Sequence, residues 1–176
     1  GVDEFDASVV EFPAEGIGAP VVFLGTGFVA LLDELLDLGI RLRPVEIDVW
    51  HESVEPYEMW EGDRKLGSFY LDMHPRDNKF SHAGMFQMDV GQQGRHLPSA
   101  ALVMNLPGES GKGYLELREV ETFLHEFGHL VHWLTMNHQR WVRNTNPEWD
   151  FIEVPSQMLE NWLHDPATVQ RFATND

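Results

Sequence analysis

The sequence predicts an α+β fold, a small and mainly antiparallel sheet followed by two helices. Three observations lead there. From Arg41 to Asn105 the chain breaks into short segments rich in Val, Ile, Phe and Tyr, cut by Pro and Gly, which is strand composition. From about residue 115 the apolar residues switch to a helical period. The length of 176 residues, 43% hydrophobic, suits one domain with a core, so residues 1–176 are read as a single domain.

Taken in order, residues 1–20 are acidic and punctuated by Pro13, Gly16, Gly18 and Pro20, an irregular lead-in. Val29, Leu32, Leu35, Leu36 and Ile40 then fall at helical spacing with Gly39 as a stop, predicting a helix over roughly 27–38. RPVEIDVWHE, YEMWEG, LGSFYLDMH, HAGMFQMDV and SAALVMNLP read as strands, with EGDRKLG as a hairpin turn. Pro107–Gly113 is a loop by composition. A long helix over about 115–136, a polar connection from Asn137 to Pro147 and a last helix over about 151–164 complete the chain.

Charge narrows the function. Against 29 Asp and Glu stand 12 Lys and Arg, a formal charge of −17 that repels phosphate backbones and anionic membranes, so neither nucleic acid nor a membrane is expected as partner. Surplus acid with only three lysines is compatible with a salt-adapted source, and also with an ordinary cytoplasmic enzyme; the cytoplasm is the favoured compartment. The most apolar N-terminal run, Ala19–Leu32, is interrupted by Gly25 and Gly27 and preceded by acids, so it reads as neither a membrane span nor a secretion signal. With no cysteine there is no thiolate ligand, and any metal must rest on His and carboxylate. The chain begins at Gly1 without methionine, as a piece of a longer protein would.

The chemistry concentrates in FLHEFGHLVHWL, Phe123 to Leu134. Leu117, Val120, Leu124, Phe127, Val131 and Leu134 make one helical stripe, and His125, His129 and His132 cluster on the opposite side within about 60°. Two imidazoles one turn apart, with Glu126 beside the first, form an H-E-x-x-H run. Such imidazoles can reach one Zn²⁺ at about 2.0–2.1 Å while the glutamate reaches a water. A lone pair of histidines is more often a surface accident, but a third ligand is at hand. Glu153, 24 positions after His129, sits between Ile152 and Val154, and a carboxylate in an apolar setting wants a cation. Gly128 would let a neighbouring chain approach closely, and Glu121, one turn before His125, could take its second ring N–H. His132 is the competing third ligand. Three histidines at i, i+4 and i+7 of a straight helix do not converge readily on one ion, so it reads as a packing or supporting residue.

VETFLHEFGHLVH and DFIEVPSQMLENW resemble the metal helix and third-ligand helix of the thimet oligopeptidase, neurolysin and oligopeptidase A family of zinc metallopeptidases. VWHESVEPYEMWEGDRKLGSFYLDMHPRDNKFSHAG and ALVMNLP are similar to that family's sheet segment and its strand beside the substrate. The resemblance implies a gluzincin-like core with one Zn²⁺ on His125, His129 and Glu153, Glu126 as general base, and short peptides as substrates. Members are several times longer and place a His and tyrosines for the transition state beyond the third-ligand helix. Tyr57, Tyr70 and Tyr114 are the only tyrosines here, and none is assigned that role. Weak turnover and a homo-oligomer, most simply a dimer, are therefore expected, with the charge opposing association at low salt. A zinc-binding fold without turnover is the competing reading, although a structural site has no use for Glu126.

A peptide substrate is expected along Ala100–Asn105, taken as an edge strand. Arg76 and Lys79 read as ion-pair partners, Asp72, His74 and His82 as structural or surface groups, and the six tryptophans as core.

Overall fold

The computed structural model describes residues 21–22, 39–107, 114–136 and 148–172. The lead-in, the helix expected over 27–38, the loop from residue 108 and the connection over 137–147 lie outside the described residues.

The strands are β1 (Val21–Val22), β2 (Ile40–Pro44), β3 (Val54–Glu61), β4 (Arg64–Asp72), β5 (Gly84–Asp89), β6 (Ser99–Val103) and β7 (Tyr114–Leu115). β1 and β7 form a two-stranded pair, and the main sheet has the order β2-β3-β4-β6-β5. β3 and β4 are joined as expected by a tight hairpin through Gly62 and Asp63. The sheet is mixed, a correction to the mainly antiparallel expectation. After β4 the chain builds β5 at the outside and returns through residues 90–98, so β6 inserts between β4 and β5, parallel to the first and antiparallel to the second. Strand composition alone does not reveal that return path.

The first strand is displaced from its expected place. RPVEIDVWHE contributes only its start to β2, and Ile47 and Trp50 stand half-exposed beyond it. Alternation of apolar and acidic residues mimicked a longer strand: past Pro44 the Val45 N–H still donates to the Pro56 carbonyl at 3.1 Å, but no strand is formed over 46–53.

Helix α1 (Leu117–Thr135) lies across the sheet, its Glu119 carboxylate accepting the Glu116 N–H at 2.7 Å to close the first turn. Phe123, Phe127, Leu124, Leu130 and Leu134 are fully buried against Met59, Phe69 and Leu102 of the sheet. Phe127 meets Phe69 edge-on, at 6.1 Å between ring centroids. Each such side chain contributes about 1.5–3 kcal/mol by leaving water, which fixes α1 on the sheet. Phe123, Leu130 and Trp133 lie outside the stripe read from the sequence yet are buried, because α1 is covered on a second side as well. The expected last helix is shorter: residues 149–153 form turns, α2 runs Val154–Glu160 and a 3-10 turn follows over Asn161–His164. A further helix, α3 (Pro166–Phe172), was not expected, although Asp165 accepts N–H bonds from Ala167 and Thr168 just before Pro166. An acidic cap followed by proline is a helix-start signal.

Candidate metal centre

α1 and α2 cross at Gly128. A Cβ there would stand 2.6 Å from the Ser156 Cα and 2.7 Å from the Pro155 carbonyl, so only glycine admits the α2 backbone at this distance. The close crossing brings the residue before α2, Glu153, over the histidine face of α1. Pro155 in the first turn suits a helix start, and the buried Ser156 hydroxyl donates to both the Glu153 carbonyl (2.9 Å) and its Oε2 (3.0 Å). The Glu153 carboxylate is thereby oriented by its own helix.

Three ligand-type atoms converge. His125 Nε2 and His129 Nε2 are 3.2 Å apart, and each is 3.3 Å from Glu153 Oε2. In a tetrahedral site with bonds of about 2.0–2.1 Å, ligand atoms stand about 3.3–3.4 Å from one another. The triangle therefore has the size a small divalent ion requires, and two imidazoles with a carboxylate are a donor set that zinc accepts. His125 and His129 are half-buried and Glu153 is exposed at one side.

A chain that folds this way also matches known proteins. A family model, peptidase family M3, matches residues 20–176. The chain belongs to peptidase family M3. Its similarity to the thimet-like oligopeptidase of Dictyostelium discoideum is 37% identity over 139 residues, covering 73% of this chain and 20% of that protein. Oligopeptidase A of Escherichia coli is 37% identical over 133 residues, 70% of this chain and 20% of the relative. Saccharolysin of Saccharomyces cerevisiae is 35% identical over 127 residues, 65% and 18% respectively. This M3 chain thus spans about a fifth of the length of these relatives.

Around the cluster the M3 chain corrects several expectations. The second nitrogen of His125, Nδ1, is hydrogen-bonded to Glu160, not to Glu121, which lies exposed on α1. Glu160 is seven residues after Glu153, two turns along the same face of α2. His132 stands apart from the converging triangle, with its ring edge-on to Phe151 at 6.2 Å. Burial pushes its pKa down, and the neighbouring His129 adds to the effect. Glu126 reaches the sheet: its Oε2 accepts the Met85 N–H at 2.9 Å, at the start of β5.

The expected substrate strand is also corrected. SAALV is β6, paired on one side with β4 and on the other with β5, so its main chain has no free edge. Its unbroken apolar run is that of a strand buried on both faces. β5 holds the edge, where no strand pairs with its outer side among the described residues.

Asp72 forms a separate polar centre at the end of β4, and Arg76 and Lys79 are its ion-pair partners as expected. Arg76 grips it in a two-pronged contact at 2.6 and 2.7 Å, Lys79 lies 2.9 Å away and Trp50 donates at 3.0 Å. Burial alone would raise the Asp72 pKa, but these donors hold it well below the usual carboxylate range. Two of the tryptophans are not core: Trp149 is 89% exposed and Trp50, whose indole serves Asp72, is 48% exposed. Among the described residues no helix is long and apolar enough to cross a membrane.

Proposed function

We propose that the protein is a zinc metallopeptidase acting on short peptides, with His125, His129 and Glu153 holding one Zn²⁺ and Glu126 as general base. The observation that carries this reading is the triangle of 3.2 and 3.3 Å formed by the two imidazoles and the carboxylate, with Glu126 on the same helix between the histidines. Membership of the M3 family supports it. Bound there, zinc would polarise the scissile carbonyl and bring the pKa of a water toward about 7.

The chain's own residues supply the rest. Glu160 fixes the His125 ring so that Nε2 faces the cluster, and Ser156 does the same for Glu153. The Met85 N–H anchors one oxygen of Glu126 beside the start of β5. From there Glu126 takes a proton from the attacking water and passes it to the leaving amine nitrogen. A peptide pairs its main chain with the outer edge of β5, where Phe86 and Met88 are 42% and 49% exposed.

Cleavage of a short quenched peptide tests the proposal. It should be abolished by a chelator and should fall by about 10²–10⁴-fold in Glu126→Gln with zinc content unchanged. Retained zinc without cleavage in the unaltered protein would favour the reading of metal binding without turnover. Full cleavage in Glu126→Gln would remove the general base from the scheme.

A further inference from the structure

A cavity of about 650 Å³ opens at the far end of α1, away from the histidines, between the β3–β4 hairpin and the loop that enters β6. Leu134 and Met136 of its wall lie one to two turns past His129. Its volume is in the range of small-molecule sites.

The charge of its walls runs against the chain. In a protein with 29 acidic and 12 basic residues, the lining includes Arg64, Lys65 and Arg95 and, among the described residues, not one carboxylate. Glu61 pairs with Arg64 and Glu58 with Lys65, each at 2.6 Å. Arg95, exposed to solvent, has no ion-pair or side-chain hydrogen-bond partner among the described residues. Gln92 and Gln93 add carboxamides; of the apolar lining, Leu66 and Leu134 are buried and Leu97 is half-exposed at the rim.

The wall bearing Arg95 is built as a closed turn. Gln92 N–H donates to the His96 carbonyl at 2.9 Å, the Gln92 carbonyl accepts from Arg95 and His96, and His96 Nε2 reaches the Val90 carbonyl at 2.6 Å. Gly94 at its tip takes φ 75, which a side chain would resist. On another wall, in the last turn of α1, Thr135 Oγ1 donates to the Val131 and His132 carbonyls and Met136 N–H donates to the His132 carbonyl.

We propose that this cavity is a second ligand site, for a carboxylate carried on an apolar body, with Arg95 gripping the carboxylate and Leu66, Leu97 and Leu134 taking the apolar part. A planar guanidinium fork matches two carboxylate oxygens, and a strongly acidic surface elsewhere leaves an anion few other places to dwell. The site is independent of the peptidase reading, since it shares no residue with the histidine cluster.

The test is a titration of the protein at fixed ionic strength with N-acetylphenylalanine and, separately, with inorganic phosphate, followed by amide chemical shifts. Saturable shifts confined to residues 92–98 and 134–136 are expected with N-acetylphenylalanine, weakened on the order of tenfold in Arg95→Gln and unchanged in Arg41→Gln, an exposed cation outside the cavity. Absence of saturation, or equal binding in Arg95→Gln, overturns the site. Phosphate binding as tightly as N-acetylphenylalanine overturns the assignment of an apolar body.

Discussion

Two polar centres in this fold solve the burial of charge in opposite ways. At the end of β4, Asp72 is 3% exposed and surrounded by donors, and Lys79 beside it also donates to the carbonyls of Asp72, His74 and Met104. That centre is complete: each charge faces a partner from the chain itself. Between α1 and α2 the balance is reversed. His125, His129 and Glu153 aim lone-pair atoms at one point, and Glu160 adds a second carboxylate behind His125. The difference teaches where a cation is expected. A centre whose donors and acceptors match is structural, and one with surplus acceptors converging at about 3.3 Å is a place for an ion.

Breaking the second centre should have the largest effect. His129→Ala, His125→Ala or Glu153→Ala should each abolish stoichiometric zinc binding and remove the rise in Tm that zinc confers, checked by elemental analysis and thermal melts with and without metal. Breaking the first centre should cost stability and leave metal affinity alone. Asp72→Asn leaves Lys79 buried without its counter-charge, and about 3–5 kcal/mol is expected in urea unfolding. Its pH dependence has a definite sign. The folded Asp72 pKa lies below the unfolded one, so its contribution is full above the ordinary carboxylate range and fades as pH falls through the lowered folded value. Stability of Asp72→Asn should accordingly fall less steeply in acid than that of the unaltered protein.

A smaller effect sharpens the contrast. Glu160→Gln should weaken zinc about 10–100-fold without unfolding the chain, whereas Glu121→Gln should not change affinity. His132→Ala should be milder still for the metal. Zinc loss in His132→Ala as complete as in His129→Ala would show that the ligand set has been misread.

How much of this was legible in the sequence depends on whether local spacing or distant contact decides. His125, Glu126 and His129 follow from helical spacing. Glu153 was reached as a carboxylate between apolar neighbours, but it and Val154 are exposed, so the crossing at Gly128 and not burial sets it against the histidines. Gly128 foretold a close approach, and the α2 backbone makes it. Glu160 was missed because the helix before the site offered a nearer carboxylate in sequence, while the crossing angle of α1 and α2 decided which carboxylate is nearer in space. The parallel pairing of β4 with β6 was missed for the same kind of reason: the return of the chain after β5 is a long-range event. The edge strand was misplaced although the signal was present, since SAALV shows the continuous apolar run of an interior strand and GMFQMD does not.

The central claim is that one zinc ion sits on His125, His129 and Glu153. Diffraction from zinc-loaded crystals, with anomalous differences collected at the zinc edge, tests it directly. A single anomalous peak within about 2.0–2.1 Å of both Nε2 atoms and of the Glu153 carboxylate is the predicted result. A peak on His132, a peak elsewhere on the chain, or none at full zinc loading would contradict it.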